Sequence, residues 1–173
     1  VRESVEVLAG GGPQDVVELT LTLAREMLAA AGRDDVDPAD ALKDGRAMDV
    51  WKAMIRAQGG DPEAELPTAR ESHEVLAPGD GVLTELDAYK VGVAAWRLGA
   101  GRARKEDPVQ AGAGVEMHYK PGATLRSGER LMTLHTDTPE RFERALEALE
   151  GSFTIAPEGS RPDLLPLVVD RIS

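Results

Sequence analysis

Three histidines, His73, His118 and His135, are the only imidazoles of the chain, and it has no cysteine. Imidazole is the usual general base near neutral pH and a common metal ligand. None of the three belongs to a metal-binding pair at helical spacing, and without a thiolate no Cys-containing zinc site can form. His118 and His135 are expected on neighbouring strands, as ordinary surface or core histidines. Ser72-His73-Glu74 puts nucleophile, base and acid side by side. Adjacent strand residues point to opposite faces, so this run alone makes no catalytic relay. No Gly-x-Ser-x-Gly elbow occurs either.

Two other groups of residues suit anions. Arg97, Arg102, Arg104 and Lys105 flank Gly99-Ala100-Gly101, and guanidinium groups beside a glycine-rich loop can receive phosphate or carboxylate. The same cations can instead pair with neighbouring acids, Glu106 and Asp107 among them. Gly10-Gly11-Gly12-Pro13-Gln14-Asp15 opens a helix, whose first amides could hold an anion. It lacks the Lys-Ser/Thr of a nucleotide loop and does not match GxGxxG. A tight turn between two helices is the plainer reading. Residue chemistry alone therefore shows no catalytic constellation.

The elements that must carry these residues follow from composition and period. The 173 residues, 42% hydrophobic and 29% charged, suit one ordinary domain or two small ones. The formal net charge is −11, which disfavours generic binding to nucleic acid or an anionic membrane. Aromatic residues make up only 3%, too few for a base-stacking platform. No apolar run approaches the roughly 18 residues of a membrane span, and no signal peptide is recognisable. With no disulfides to form, a cytoplasmic location is expected. The first residue is Val1 within a helical pattern, so the chain reads as part of a longer protein.

Residues 1–70 read as helical. Val1, Val5 and Leu8 share a face. Val16, Leu19, Leu23 and Met27 recur at helical spacing, and Asp37-Pro38 is a cap followed by a first-turn proline. Ala47, Val50, Trp51, Met54 and Ile55 form a further stripe within Arg46 to Gln58. Pro62 to Pro67 reads as a linker. Residues 71–173 change period. Short strands are expected over Glu71 to Leu76, Gly81 to Leu86, Val115 to Tyr119, Thr124 to Arg126, Arg130 to His135 and Phe153 to Ile155. Asp87 caps a helix from Ala88 to Leu98, and Gly99 to Gly114 reads as a loop. Thr136-Asp137-Thr138-Pro139 offers a cap and a first-turn proline for a helix from Glu140 to Glu150.

Several of these stretches carry a resemblance. Val1-Arg2-Glu3, Gly10-Gly11-Gly12-Pro13-Gln14-Asp15, Gly45-Arg46-Ala47-Met48 and Ile55-Arg56-Ala57-Gln58-Gly59-Gly60-Asp61 resemble the thymidine and pyrimidine-nucleoside phosphorylase family. So do Leu98-Gly99-Ala100-Gly101-Arg102 through Asp107, Val115-Glu116-Met117-His118, Lys120-Pro121-Gly122 and Leu134-His135. The resemblance runs through essentially the whole chain and implies the C-terminal portion of such an enzyme. It implies an α/β (α+β) fold. Residues 1–70 would be a helical segment of the large catalytic α/β domain. Residues 71–173 would be a C-terminal α/β domain with a barrel-sandwich-like β unit.

The reaction implied is phosphorolysis of a pyrimidine nucleoside to the free base and a pentose 1-phosphate, in a cytoplasmic homodimer. The family's phosphate loop and its pyrimidine-gripping Arg, Ser and Lys match nothing here. No catalytic or substrate-binding residue is therefore assigned, and the chain alone is expected to be inactive. No cofactor is required. Glu3 matches a family glutamate that helps bind a monovalent cation, usually potassium, though a surface helical glutamate is an equal reading. A stand-alone scaffold or interaction domain is the alternative function. The layout of the second part also occurs in biotinyl and lipoyl carriers, but Lys90 opens a helix rather than sitting in a carrier hairpin.

Overall fold

The computed structural model describes residues 1–172, arranged as two compact units. The first comprises Val1–Glu65 with the residues from Leu165 onward, and the second Leu66–Leu164. The tail, grouped above with residues 71–173, thus lies with the helices, where Arg171 Nη2 meets Glu26 Oε2 at 2.8 Å.

The helical unit contains α1 (Arg2–Leu8), α2 (Gln14–Ala30), α3 (Pro38–Lys43) and α4 (Arg46–Ala57). Asp37 caps α3 by accepting the Ala39 amide at 3.1 Å, with Pro38 in the first turn. The apolar stripes lie where the spacing puts them, but the unit does not bury them. Val7 is its one buried residue among those described, while Leu23, Met27, Val50 and Met54 are exposed.

The second unit contains β1 (Glu71–Leu76), β2 (Gly81–Leu86), α5 (Ala88–Ala95), β3 (Gly114–Met117), β4 (Thr124–Leu125), β5 (Arg130–Thr136), α6 (Arg141–Leu149) and β6 (Phe153–Ala156). Its strands form two antiparallel sheets, ordered β1-β5-β3 and β4-β2-β6. Leu83 and Leu125 from one sheet meet Leu131, Met132 and Leu134 from the other. Val91, Ala94, Leu98, Ala145 and Leu149 complete a single core. This is the α+β architecture expected from the resemblance. Each fully buried leucine contributes roughly 1.5–3 kcal/mol through the apolar surface it removes from water.

Two details depart from the sequence reading. The helix from Ala88 passes at Ala95 into a π-type turn, Trp96–Ala100, where Gly99 leaves the helical region (φ 115°). The Thr138-Pro139 segment does not cap α6 at Glu140. Thr138 and Pro139 carbonyls accept the amides of Arg141 and Phe142, forming a preceding turn, and α6 begins at Arg141 with no side-chain cap.

Candidate functional site: an arginine-lined cleft

The second unit carries an open cleft of about 500 Å³. The segments that line it are tied together by a partly buried polar knot. Thr136, fully buried, places its hydroxyl 2.7 Å from the Leu98 carbonyl and 3.0 Å from Gln110 Oε1. Gln110 Oε1 also accepts the Asp137 amide at 2.7 Å, while its Nε2 donates to Thr138 Oγ1 at 2.9 Å. The Gln110 amide donates to the Gly99 carbonyl at 2.9 Å. One glutamine thus ties the end of the π-type turn, the long loop and the segment before α6 together. Opening the knot is costly chiefly at Thr136, whose buried hydroxyl would lose its partners without regaining water.

The cleft is lined by Arg97 and Arg102 from the turn and loop, and by Arg141 and Arg144 from α6. The spacing of three puts the last two on one helix face. Trp96 forms an aromatic wall, and Asp107 and Glu140 are the acids of the lining. Arg97 reaches Glu147 Oε2 at 3.4 Å and the Arg144 carbonyl, while its Nε is buried with no hydrogen-bond partner. Among the described residues Arg102 and Arg141 bond only neutral carbonyls, those of Lys105 (3.0 Å) and Arg97 (3.4 Å). The Arg144 guanidinium has no ion pair or hydrogen bond among the described residues.

The sequence grouped Arg97 and Arg102 with Arg104 and Lys105. The fold keeps the first two, leaves the other two outside the cleft and brings in Arg141 and Arg144 from far along the chain. The pairing considered for Asp107 does not form with a side chain: its carboxylate accepts the Arg104 backbone amide at 2.9 Å. Gln110 was missed entirely, since a single neutral amide in a glycine-rich loop has no motif to mark it.

The other candidates are placed as follows. His118, just past the end of β3, and His135, on β5, lie along neighbouring strands, as expected, but at opposite ends of the β3–β5 pairing: Gly114 pairs with His135, while the His118 amide bonds the Leu131 carbonyl. His118 Nε2 bonds Thr133 Oγ1 at 2.8 Å, and His135 Nε2 lies 3.4 Å from Glu116 Oε2. His73 instead rests against the Phe142 ring, centroids 5.6 Å apart. Among the described residues no cluster of three or more His, Asp or Glu could share a metal ion. At the triglycine, the Gly10 and Gly11 amides donate to Val7 and Glu6 carbonyls, closing α1. They are spent on a turn. Lys90 Nζ donates to the Glu150 and Gly151 carbonyls at 2.8 and 3.1 Å, finishing α6. Glu3 lies exposed in the first turn of α1. No described helix is long and apolar enough to cross a membrane.

Two small antiparallel sheets thus share a core with α5 and α6. Residues 82–156 match the pyrimidine nucleoside phosphorylase C-terminal domain. Over almost its whole length the chain matches the C-terminal portion of thymidine and pyrimidine-nucleoside phosphorylases. It is 52% identical over 172 residues to a thymidine phosphorylase of Mycobacterium tuberculosis, covering 99% of this chain and 40% of that protein. It is 37% identical over 181 residues to a pyrimidine-nucleoside phosphorylase of Staphylococcus epidermidis and 34% over 180 residues to one of Bacillus subtilis, covering 98% of this chain and 41% of each relative. The chain spans about 40% of the length of the curated relatives it matches.

Proposed function

We propose that this chain is the C-terminal part of a thymidine phosphorylase, acting in the cytoplasm as part of a homodimer. The observation that carries this reading is the 52% identity to the Mycobacterium tuberculosis thymidine phosphorylase, sustained over 99% of the chain. In the reaction a phosphate oxygen attacks C1′ of thymidine. The C1′–N1 bond breaks with its electron pair going to the base, and thymine and 2-deoxyribose 1-phosphate result. Such chemistry requires phosphate to be held beside the anomeric carbon and the departing base to be neutralised by a cationic donor. Those groups are assigned to residues outside this chain, whose own contribution is structural support for the closing of the enzyme around substrate.

Glu3 is proposed as one ligand of a potassium ion. Its exposed carboxylate holds no hydrogen bond or ion pair among the described residues, and an ionised oxygen suits a hard cation. One carboxylate fits as a single donor, and the remaining oxygens would come from elsewhere in the longer protein.

The deciding experiment measures phosphate-dependent release of thymine by the 173-residue chain and by a longer form that includes the preceding sequence. Activity in the longer form alone is expected. Activity of the short chain would overturn the assignment of the chemistry to other residues, and inactivity of both would overturn the enzyme reading. In an active longer form, Glu3→Gln should raise the potassium concentration needed for half-maximal stabilisation against heat.

A further inference from the structure

We propose that the arginine-lined cleft of the second unit is a phosphate-binding site, taking inorganic phosphate or the phosphate group of a small monoester. Four guanidinium groups line it, those of Arg97, Arg102, Arg141 and Arg144, against two acids, Asp107 and Glu140. In a chain where 31 acids face 20 Lys and Arg, carboxylate partners are plentiful. Yet among the described residues Arg102, Arg141 and Arg144 pair with none of them.

The acids of the cleft do not supply the missing partners. Asp107 Oδ2 accepts the Arg104 amide, and among the described residues only Arg97 of the four has a carboxylate within ion-pair range, that of Glu147, which lies outside the lining. Arg97 Nε is a buried donor with no acceptor. Guanidinium groups lining one cleft, three of them without a carboxylate partner among the described residues, suit phosphate, since each planar fork can donate to two oxygens of the tetrahedral anion. The volume of about 500 Å³ exceeds what a lone phosphate fills, and Trp96 offers an apolar wall for the remainder of an ester.

This inference concerns binding by the chain itself and stands independently of the catalytic reading. The knot at Gln110 and Thr136 holds the loop and the start of α6 in fixed relation, so the site is preorganised and loses little entropy on binding.

The test uses the 173-residue chain with Trp51→Phe, so that Trp96 is the only indole and its fluorescence reports the cleft. Inorganic phosphate, ribose 5-phosphate and, as controls, ribose and chloride are titrated. Saturable quenching by phosphate or by the ester is expected, with a midpoint of about millimolar or tighter. Equal midpoints for the two would identify free phosphate as the natural source, and a lower midpoint for the ester would identify a phosphorylated small molecule.

The double variant Arg102→Ala/Arg144→Ala removes two exposed guanidinium groups and should weaken binding by about tenfold or more without altering the circular dichroism. Arg102→Lys/Arg144→Lys keeps the charge, loses the forks and should fall between. No saturable response, a response matched by chloride, or an unchanged midpoint in the alanine double variant would each overturn the proposal.

Discussion

Gln110 ties the loop of the arginine cleft to the segment before α6, and it does so without charge. Its side-chain oxygen accepts the Asp137 amide, its nitrogen serves Thr138 and its backbone amide holds Gly99. Gln110→Ala removes the first two and leaves the Asp137 amide without an acceptor. A loss of about 1–3 kcal/mol is expected in urea unfolding of the second unit, the range for orphaned buried polar groups. Hydrogen exchange should rise over residues 101–113.

Gly99 sits at φ 115°, and a Cβ there would come within 3.0 Å of Gln110 Cδ and 3.2 Å of Arg141 Nη1. Gly81, at φ 153°, would bring a Cβ to 2.2 Å from the Ala156 carbonyl oxygen, a backbone atom of the β2–β6 pairing. Side chains can yield by a few tenths of an ångström, and a ladder carbonyl cannot without breaking its strand. Gly81→Ala should therefore destabilise more than Gly99→Ala, both exceeding about 1 kcal/mol from the left-handed backbone alone. Equal midpoints in urea would contradict this ordering. Neither Gln110 nor Gly81 is visible as a key position in the sequence, because each matters through an atom contributed from more than 20 residues away.

At the level of elements the sequence was most legible where capping and alternation were local. β1 and β2 fall over Glu71–Leu76 and Gly81–Leu86 as read, and Asp87 caps α5 by accepting the Lys90 amide at 3.1 Å. Asp87→Ala should cost about 1 kcal/mol, the usual worth of such a cap, in a thermal or urea midpoint. The start of α6 was less legible for a physical reason. The Thr138 hydroxyl that suggested a cap is turned to Gln110 across the loop, while Thr138 and Pro139 form a turn ahead of the helix, which leaves Glu140 at the cap position.

Asp37 links an element to pH. Its carboxyl is held below the ordinary carboxylate value, first by the Ala39 amide and further by Arg25, with partial desolvation opposing. A depressed folded-state value means that the unfolded chain takes up the proton first. The stabilisation is thus present at neutral pH and is lost as pH falls from the ordinary value through the lowered one. The α3 amide signals should loosen on acidification in that window. Asp37→Asn, which keeps an acceptor without the titrating charge, should flatten the response, and an unchanged acid profile in that variant would remove Asp37 as its source.

The two units differ in how much apolar surface they hide, and this sets how the whole molecule should behave. The second unit buries a continuous core of leucines between two sheets and two helices. The first leaves Met27 73% and Val50 69% exposed although both sit on periodic apolar stripes. Periodicity alone could locate those stripes but could not say what covers them, because burial depends on a partner surface and not on spacing. Local opening free energy tracks buried apolar contact. In the dilute 173-residue chain, amides of residues 14–57 should therefore exchange markedly faster than those of β2, β5 and α6. Val50→Asp should change the stability of this chain by no more than about 0.5 kcal/mol, as for other exposed positions. In a longer form whose added residues cover the stripe, the same substitution buries an unpaired charge and should lower the unfolding midpoint sharply. Hydrogen exchange on both lengths, with and without Val50→Asp, separates the cases. Uniform protection of the two units in the short chain would show that the helical unit is stable without a partner, and an equally mild effect of Val50→Asp in both lengths would show that nothing packs on this face.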